Sequence, residues 1–222
     1  ANDDDRAYTH LARAARGLRR SDGPRAADLY VLAADAAEHL DLIDQAISAY
    51  EAARELAPGS LPPILRLSAL LDQTRQWEKS YECAAALLLK HESELARSDL
   101  AKIYLRMAKA KDAQGDRPQG VRFARKSVDA EVSSEALLLL AEALVQLGEL
   151  SDAAETFRWL AGVSKDQADR RRHILRSARL WGEDLGELGR AVATLGELHI
   201  TGAKDLEAAE LLASYREKAG EP

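Results

Sequence analysis

The feature that most constrains this chain is its punctuation. Amphipathic segments are cut at short intervals by turn signals: Ser21-Asp22-Gly23-Pro24, Asp41, Pro58-Gly59-Ser60, Gly115-Asp116, Gly148-Glu149, Gly186 and Thr201-Gly202. Between them apolar residues recur at helical spacing, which predicts twelve helices near 6–19, 26–39, 43–57, 61–73, 76–90, 94–114, 117–130, 133–146, 150–163, 165–184, 187–199 and 203–218. Links this short force neighbouring helices to run antiparallel, as a series of helical hairpins. Composition supports helix throughout. Aromatics are 5% of the 222 residues and β-branched runs are nearly absent, while 46% apolar content with only 6 prolines and 13 glycines is enough for an ordered core.

The hairpins repeat one another. Residues 42–60, "LIDQAISAYEAARELAPGS", align with residues 150–163, "LSDAAETFRWLAGV". Ile43 matches Leu150, Ala46 matches Ala153, Ile47 matches Ala154, Tyr50 matches Phe157 and Ala53 matches Leu160. In the preceding helices Tyr30, Ala33, Ala34 and Ala37 match Leu137, Leu140, Ala141 and Leu144. Both helices of the unit therefore recur.

This pattern resembles the tetratricopeptide repeat, a helix-turn-helix unit of about 34 residues. The resemblance implies an all-α, right-handed α-α superhelix, or solenoid, in a single domain spanning 1–222. Repeats fall near 27–60, 61–94, 95–133, 134–164 and 165–200, with a flanking helix at 6–19 and a capping helix at 203–218. Ala46 to Ser80 is 34 residues and Gly120 to Ala153 is 33, close to the family period. Ser80 to Gly120 is 40 and Ala153 to Ala191 is 38, so extended helices are expected near 94–114 and 165–184.

Small residues at one place in each hairpin have a physical purpose. Two helices cross closely only where both present small side chains, a role for Ala34 against Ala46 and Ala141 against Ala153. Tyr50 and Phe157, one turn later, fill the wider gap toward the next hairpin, and Pro58 stops its helix for want of an amide. A single hairpin cannot bury both faces, so hairpins stack and their ends need covers. Leu206, Ala209, Leu212 and Ala213 form the apolar side expected of the terminal cap, whereas helix 6–19 reads as half of a repeat interrupted upstream. The chain begins with Ala1 rather than Met, as expected of a processed or excised chain.

Catalytic signatures are absent from the sequence: it holds no phosphate loop, dinucleotide fingerprint, nucleophile elbow or zinc spacing. His10, His39, His91, His173 and His199 belong to different hairpins and read as structural or surface residues, and Cys83, among alanines, reads as a small packed side chain. No enzymatic activity, cofactor or metal is expected. A net charge of −6 argues against nucleic acid as the partner, and no apolar run is long enough to span a membrane.

Two features point to binding. In "RRRHILRSAR", residues 170–179, Arg172, Arg176 and Arg179 share one helical face and can grip carboxylates or phosphates; alternatively they pair with Glu183, Asp184 and Glu187 nearby. The second feature is a spine of equivalent first-helix positions, Val31, Leu65, Leu105, Leu138 and Leu175, which the family resemblance places on the concave surface. Asp28, Asp35, Glu135 and Glu142 flank it, as do Lys102, Arg106 and Lys109 together with the three arginines. The alternative for each leucine is packing against the next hairpin. Chaperone-binding members of the family hold a terminal carboxylate with lysines and asparagines, but Asn2 is the only asparagine here, so that clamp is not expected. The expected function is a non-catalytic scaffold that binds a segment of a partner protein in the groove. The other readings are a sensor domain for a small peptide or metabolite controlling a domain outside this chain, and an RNA or anionic-polymer site on the Arg172 face.

Overall fold

The computed structural model describes residues 2–198 and 206–220, with side chains from Arg6 onward. All its regular structure among the described residues is helical, in the order α1 (Asn2–Leu18), α2 (Gly23–His39), α3 (Ile43–Leu56), α4 (Leu61–Gln73), α5 (Trp77–His91), α6 (Arg97–Ala113), α7 (Arg117–Ala130), α8 (Ser134–Leu147), α9 (Leu150–Val163), α10 (Gln167–Arg179), α11 (Leu188–Leu195) and α12 (Leu206–Ala219). The Thr201-Gly202 turn, His199 and the first residues expected of the last helix lie outside the described residues.

Local chemistry explains where these helices begin. Asp22 caps α2 by accepting from Arg25 N at 3.1 Å, Ser133 caps α8 through Ala136 N at 3.2 Å, and Asp166 caps α10 through Ala168 N at 2.8 Å and Asp169 N at 3.0 Å. Prolines occupy the first turns of α2, α4 and α7, where a missing amide costs nothing.

Each hairpin turn contains one residue with left-handed backbone: Asp41 (φ 58°), Arg75 (φ 56°), Gly115 (φ 79°), Gly148 (φ 78°) and Gly186 (φ 71°). The first four are built alike. The amide after the left-handed residue donates to the carbonyl five residues back, as in Leu42 N to Ala37 O, Gln76 N to Leu71 O, Asp116 N to Lys111 O and Glu149 N to Leu144 O. In the fifth turn Glu187 N reaches Trp181 O, six residues back, at 2.7 Å. Each of these five turn residues stands five positions before the small residue that begins the next crossing: Ala46, Ser80, Gly120, Ala153 or Ala191, all of them buried. The uneven intervals of 34, 40, 33 and 38 residues therefore mark one recurring turn, not a lost register.

The two long intervals are filled differently from expectation. In place of one long helix over 94–114, a 3₁₀ turn at Glu92–Glu94 and an extended Leu95 (ψ 135°) precede an α6 of ordinary length. In place of one α-helix over 165–184, α10 passes at Leu180 into a π-helical turn, Leu180–Asp184. Such a turn accommodates an extra residue within a continuous helix, hence the six-residue hydrogen-bond span at its end.

The chain divides into two compact units, Ala1–Ala96 and Arg97–Pro222. In the first, α1 to α5 pack sequentially; Ala34 and Ala46 are fully buried at the expected crossing. Cys83 is buried too, its thiol 3.7 Å from the Ile64 carbonyl, which is the packed role expected of it. In the second, α6 to α12 enclose a core that includes Ala141, Ala153, Phe157, Leu180 and Trp181. Ser127 Oγ donates to Ala101 O and Ser177 Oγ to Ala154 O, both at 2.8 Å, so these buried hydroxyls are satisfied by the backbone of the adjacent helix.

The terminal helix caps this core with another face than the expected one. Ala208 and Tyr215 are buried and Leu211 and Leu212 pack beside them, whereas Leu206 is 60% exposed and Ala213 is exposed. Tyr215 sets that rotation. Its ring lies over Gly182 in the π turn, where a Cβ would stand 2.7 Å from the ring Cζ, and its hydroxyl donates to Glu183 at 3.1 Å.

Candidate functional site

The spine positions divide by exposure. In the first unit Val31 and Leu65 are half-buried. In the second, Leu105 is 8% exposed and Leu175 7%, both already in the core, while Leu138 is 37% exposed. Packing against neighbouring helices thus accounts for Leu105 and Leu175. Leu138 retains apolar surface that water still covers.

Near the first-unit spine, Tyr50 Oη donates to Asp35 Oδ1 at 2.5 Å and lies 2.7 Å from Glu38 Oε1, which in turn holds Arg66 at 2.6 Å. Burial, then the two carboxylates, push the phenol far above its ordinary range, so it remains a neutral donor. Asp35 is committed to this network, and Asp28 is exposed.

Second-unit geometry gathers more of the expected residues. On α6, Lys102 is exposed, Arg106 is half-buried, and Lys109 bridges to Glu135 of α8 at 2.7 Å. Between α8 and α10 lies a cleft of about 420 Å³ walled by Leu138, Val145 and Phe157, with Glu142, Arg172 and Arg176 at its sides. A second hollow, of about 530 Å³, continues past Leu138 and Arg172 toward Val163 and Lys165. A third, of about 340 Å³, lies on the other side of Arg172 and Arg176, over Leu175 and bounded by Arg179 and Glu207 of α12. The three share walls and line one face of α10.

Phe157 reaches the next hairpin as expected and stacks on His173, with centroids 6.1 Å apart and rings inclined by 19°. Burial, followed by the charge of Arg172, lowers the His173 pKa below its ordinary value, so at neutral pH the ring is an uncharged wall. Sequence reasoning missed His173 and Val145 as parts of this surface. Their one signal was position: His173 adjoins Arg172, and Val145 stands two turns after Leu138 on the same helical face.

The arginines are only partly paired, and not with the acids expected. Arg172 binds Asp169 in its own helix. Arg179 and Arg171 share a single carboxylate, Glu207, at 2.6 and 3.7 Å. Arg176 is exposed and has no partner among the described residues. Glu183 is taken by Tyr215. Among the described residues there is no group of three metal-ligating side chains, and no helix is long and apolar enough to cross a membrane.

Comparison with known proteins agrees with this architecture. The family profile described as tetratricopeptide repeat matches residues 27–60. No curated protein matches the chain in sequence. Among solved structures, a MamA protein superposes with a TM-score of 0.63 at 14% identity, covering 87% of this chain and 93% of its own. YrrB, described as a TPR protein with an unusual peptide-binding site, gives 0.62 at 13% identity over 91% of this chain and 96% of its own. PilF of Pseudomonas aeruginosa gives 0.57 at 15% identity, covering 95% and 99%. These superpositions establish a shared fold. The chain is a helical-repeat protein that shares the fold of tetratricopeptide-repeat structures, and its residues 27–60 match the tetratricopeptide repeat itself.

Proposed function

We propose that the chain is a non-catalytic protein-interaction scaffold that takes a segment of a partner protein along the first-helix face of its hairpins, with the α8–α10 surface as the contact in the second unit. The observation that carries this reading is Leu138: a leucine 37% exposed at the centre of adjoining clefts with apolar walls and charged rims. YrrB, which shares the fold, is described as having a peptide-binding site, and that likeness supports the class of ligand. Leu105 and Leu175 support the face from beneath and do not serve as anchors. Lys102, Arg106, Lys109, Arg172, Arg176 and Arg179 belong to its charged flanks, while Val31 and Leu65 are the corresponding positions of the first unit.

The test compares wild type, Leu138→Glu and Leu185→Glu as baits, with captured proteins quantified by mass spectrometry. Leu185 is also 37% exposed but lines none of the three clefts, so it controls for a charge placed on exposed leucine. Leu138→Glu should lose captured protein at least about tenfold, about 1.4 kcal/mol, at an unchanged melting temperature, and Leu185→Glu should not. Equal capture by all three baits would refute the reading.

A further inference from the structure

Resting on that scaffold reading, we infer that the segment taken by the α8–α10 face is acidic and apolar in alternation: an apolar side chain enters the cleft walled by Leu138, Val145 and Phe157 while neighbouring carboxylates meet Arg176 and Arg172. The chain carries a net charge of −6, yet α10 holds five arginines, Arg170, Arg171, Arg172, Arg176 and Arg179, against one acid, Asp169. Over Leu175 the imbalance is concentrated, since the cleft there is lined by four of those arginines and by one carboxylate, Glu207.

Glu207 displays the chemistry such a partner would use. One carboxylate engages Arg179 at 2.6 Å and Arg171 at 3.7 Å, as expected of guanidinium forks that accept carboxylates. No equivalent acid serves Arg176 among the described residues. Arg172 and Arg176 stand four residues apart, about 6 Å along the helix, so a segment crossing α10 meets both. They are also the two arginines shared between the apolar cleft and the arginine-lined one, which places the charge-binding and apolar positions side by side.

An anionic peptide fits better than a nucleic acid. The adjoining walls are aliphatic or occupied, since Phe157 already stacks on His173, and no exposed aromatic ring in these clefts offers a base a platform. His173 is held neutral, so the positive field comes from arginines and persists across neutral pH.

The experiment measures fluorescence anisotropy of the full chain with a short labelled peptide of repeated Leu-Glu-Glu triplets. Peptides of Leu-Lys-Lys and Ser-Glu-Glu triplets and a short oligothymidylate are the comparisons. The Leu-Glu-Glu peptide should bind at least about tenfold more tightly than each of them, and added salt should weaken its binding. Arg176→Glu should reduce its affinity at least about tenfold with unchanged melting, because the side chain is exposed and unpartnered. Absent binding of the Leu-Glu-Glu peptide, equal binding of the lysine peptide, tighter binding of the oligonucleotide, or indifference to Arg176→Glu overturns the inference. If Leu138→Glu abolishes binding while Arg176→Glu does not, the scaffold face stands and its acidic preference falls. If neither variant changes binding, both fall.

Discussion

Gly182→Ala is the smallest change that should undock the terminal helix. A Cβ at residue 182 would stand 2.7 Å from Cζ, 2.9 Å from Cε2 and 3.0 Å from Cε1 of Tyr215. Carbon atoms in contact prefer about 3.5–4.0 Å, so the ring or the π turn must shift by nearly 1 Å. Neither has room. Tyr215 is 2% exposed with its hydroxyl on Glu183, and the turn itself contains the buried Leu180 and Trp181. Overpacking of this kind costs about 1–3 kcal/mol, against which replacing glycine in helical backbone returns about 0.5–1 kcal/mol. The net loss should be up to about 2.5 kcal/mol, or as much as several degrees of melting temperature. Tyr215→Ala alone should cost about 3–5 kcal/mol, but in that background Gly182→Ala meets no ring and its effect should change sign to a small stabilisation. Urea unfolding followed by circular dichroism across the four proteins of this cycle gives the coupling, and hydrogen exchange locates the loosened segment in α12. Equal costs for Gly182→Ala with and without the tyrosine would refute the argument, as would stabilisation of the wild type by Gly182→Ala.

Ala153→Phe should lower stability by about 1–3 kcal/mol in urea titrations, because residue 153 is fully buried where α8 and α9 cross; an unchanged midpoint would mean the crossing lies elsewhere. Arg75→Gly should be neutral or stabilise by up to about 1 kcal/mol, since Arg75 holds φ 56°, while Gly148→Ala should destabilise by about 1–2 kcal/mol; thermal melts of both variants test the opposed signs. Tyr215, raised to about 12 by burial and Glu183, binds more protons folded than unfolded between pH 10 and 12, so stability should fall as pH rises through that window, and by less in Tyr215→Phe. His173 has the opposite consequence: its lowered pKa means stability present above pH 6.5 is lost as the solution is acidified below it, and His173→Phe should blunt that loss.

The hairpin register is legible in the sequence because two local requirements mark it independently. A small residue is needed wherever helices cross closely, and a left-handed turn residue precedes it by five positions. Glycine announces that turn at 115, 148 and 186, whereas at Arg75 no residue preference betrays it. The π turn is not legible, since the residues that meet at it, Gly182 and Tyr215, are separated by more than thirty residues. The cap's true face escaped for the same reason: an aromatic side chain seated on a distant glycine outweighs the local apolar stripe through Leu206. For the proposed binding face, spacing put forward Leu138 and the α10 arginines as candidates. Exposure distinguished Leu138 from Leu105, a difference that depends on how deeply the neighbouring helices cover two similar leucines.

About half of the buried apolar residues among those described are alanines, those at the helix crossings among them. An alanine brings little hydrocarbon out of water, so close backbone approach accounts for more of the cohesion here than in a leucine-rich bundle. Exposed apolar area governs the heat capacity of unfolding. The stability curve of this chain should therefore be shallow, changing gently between cool and warm conditions, and calorimetry should record a smaller heat-capacity step per residue than the usual 12–15 cal/mol/K. With the cohesion spread over many thin crossings, the ends of the array open at lower free energy than its middle, and the melting endotherm broadens accordingly.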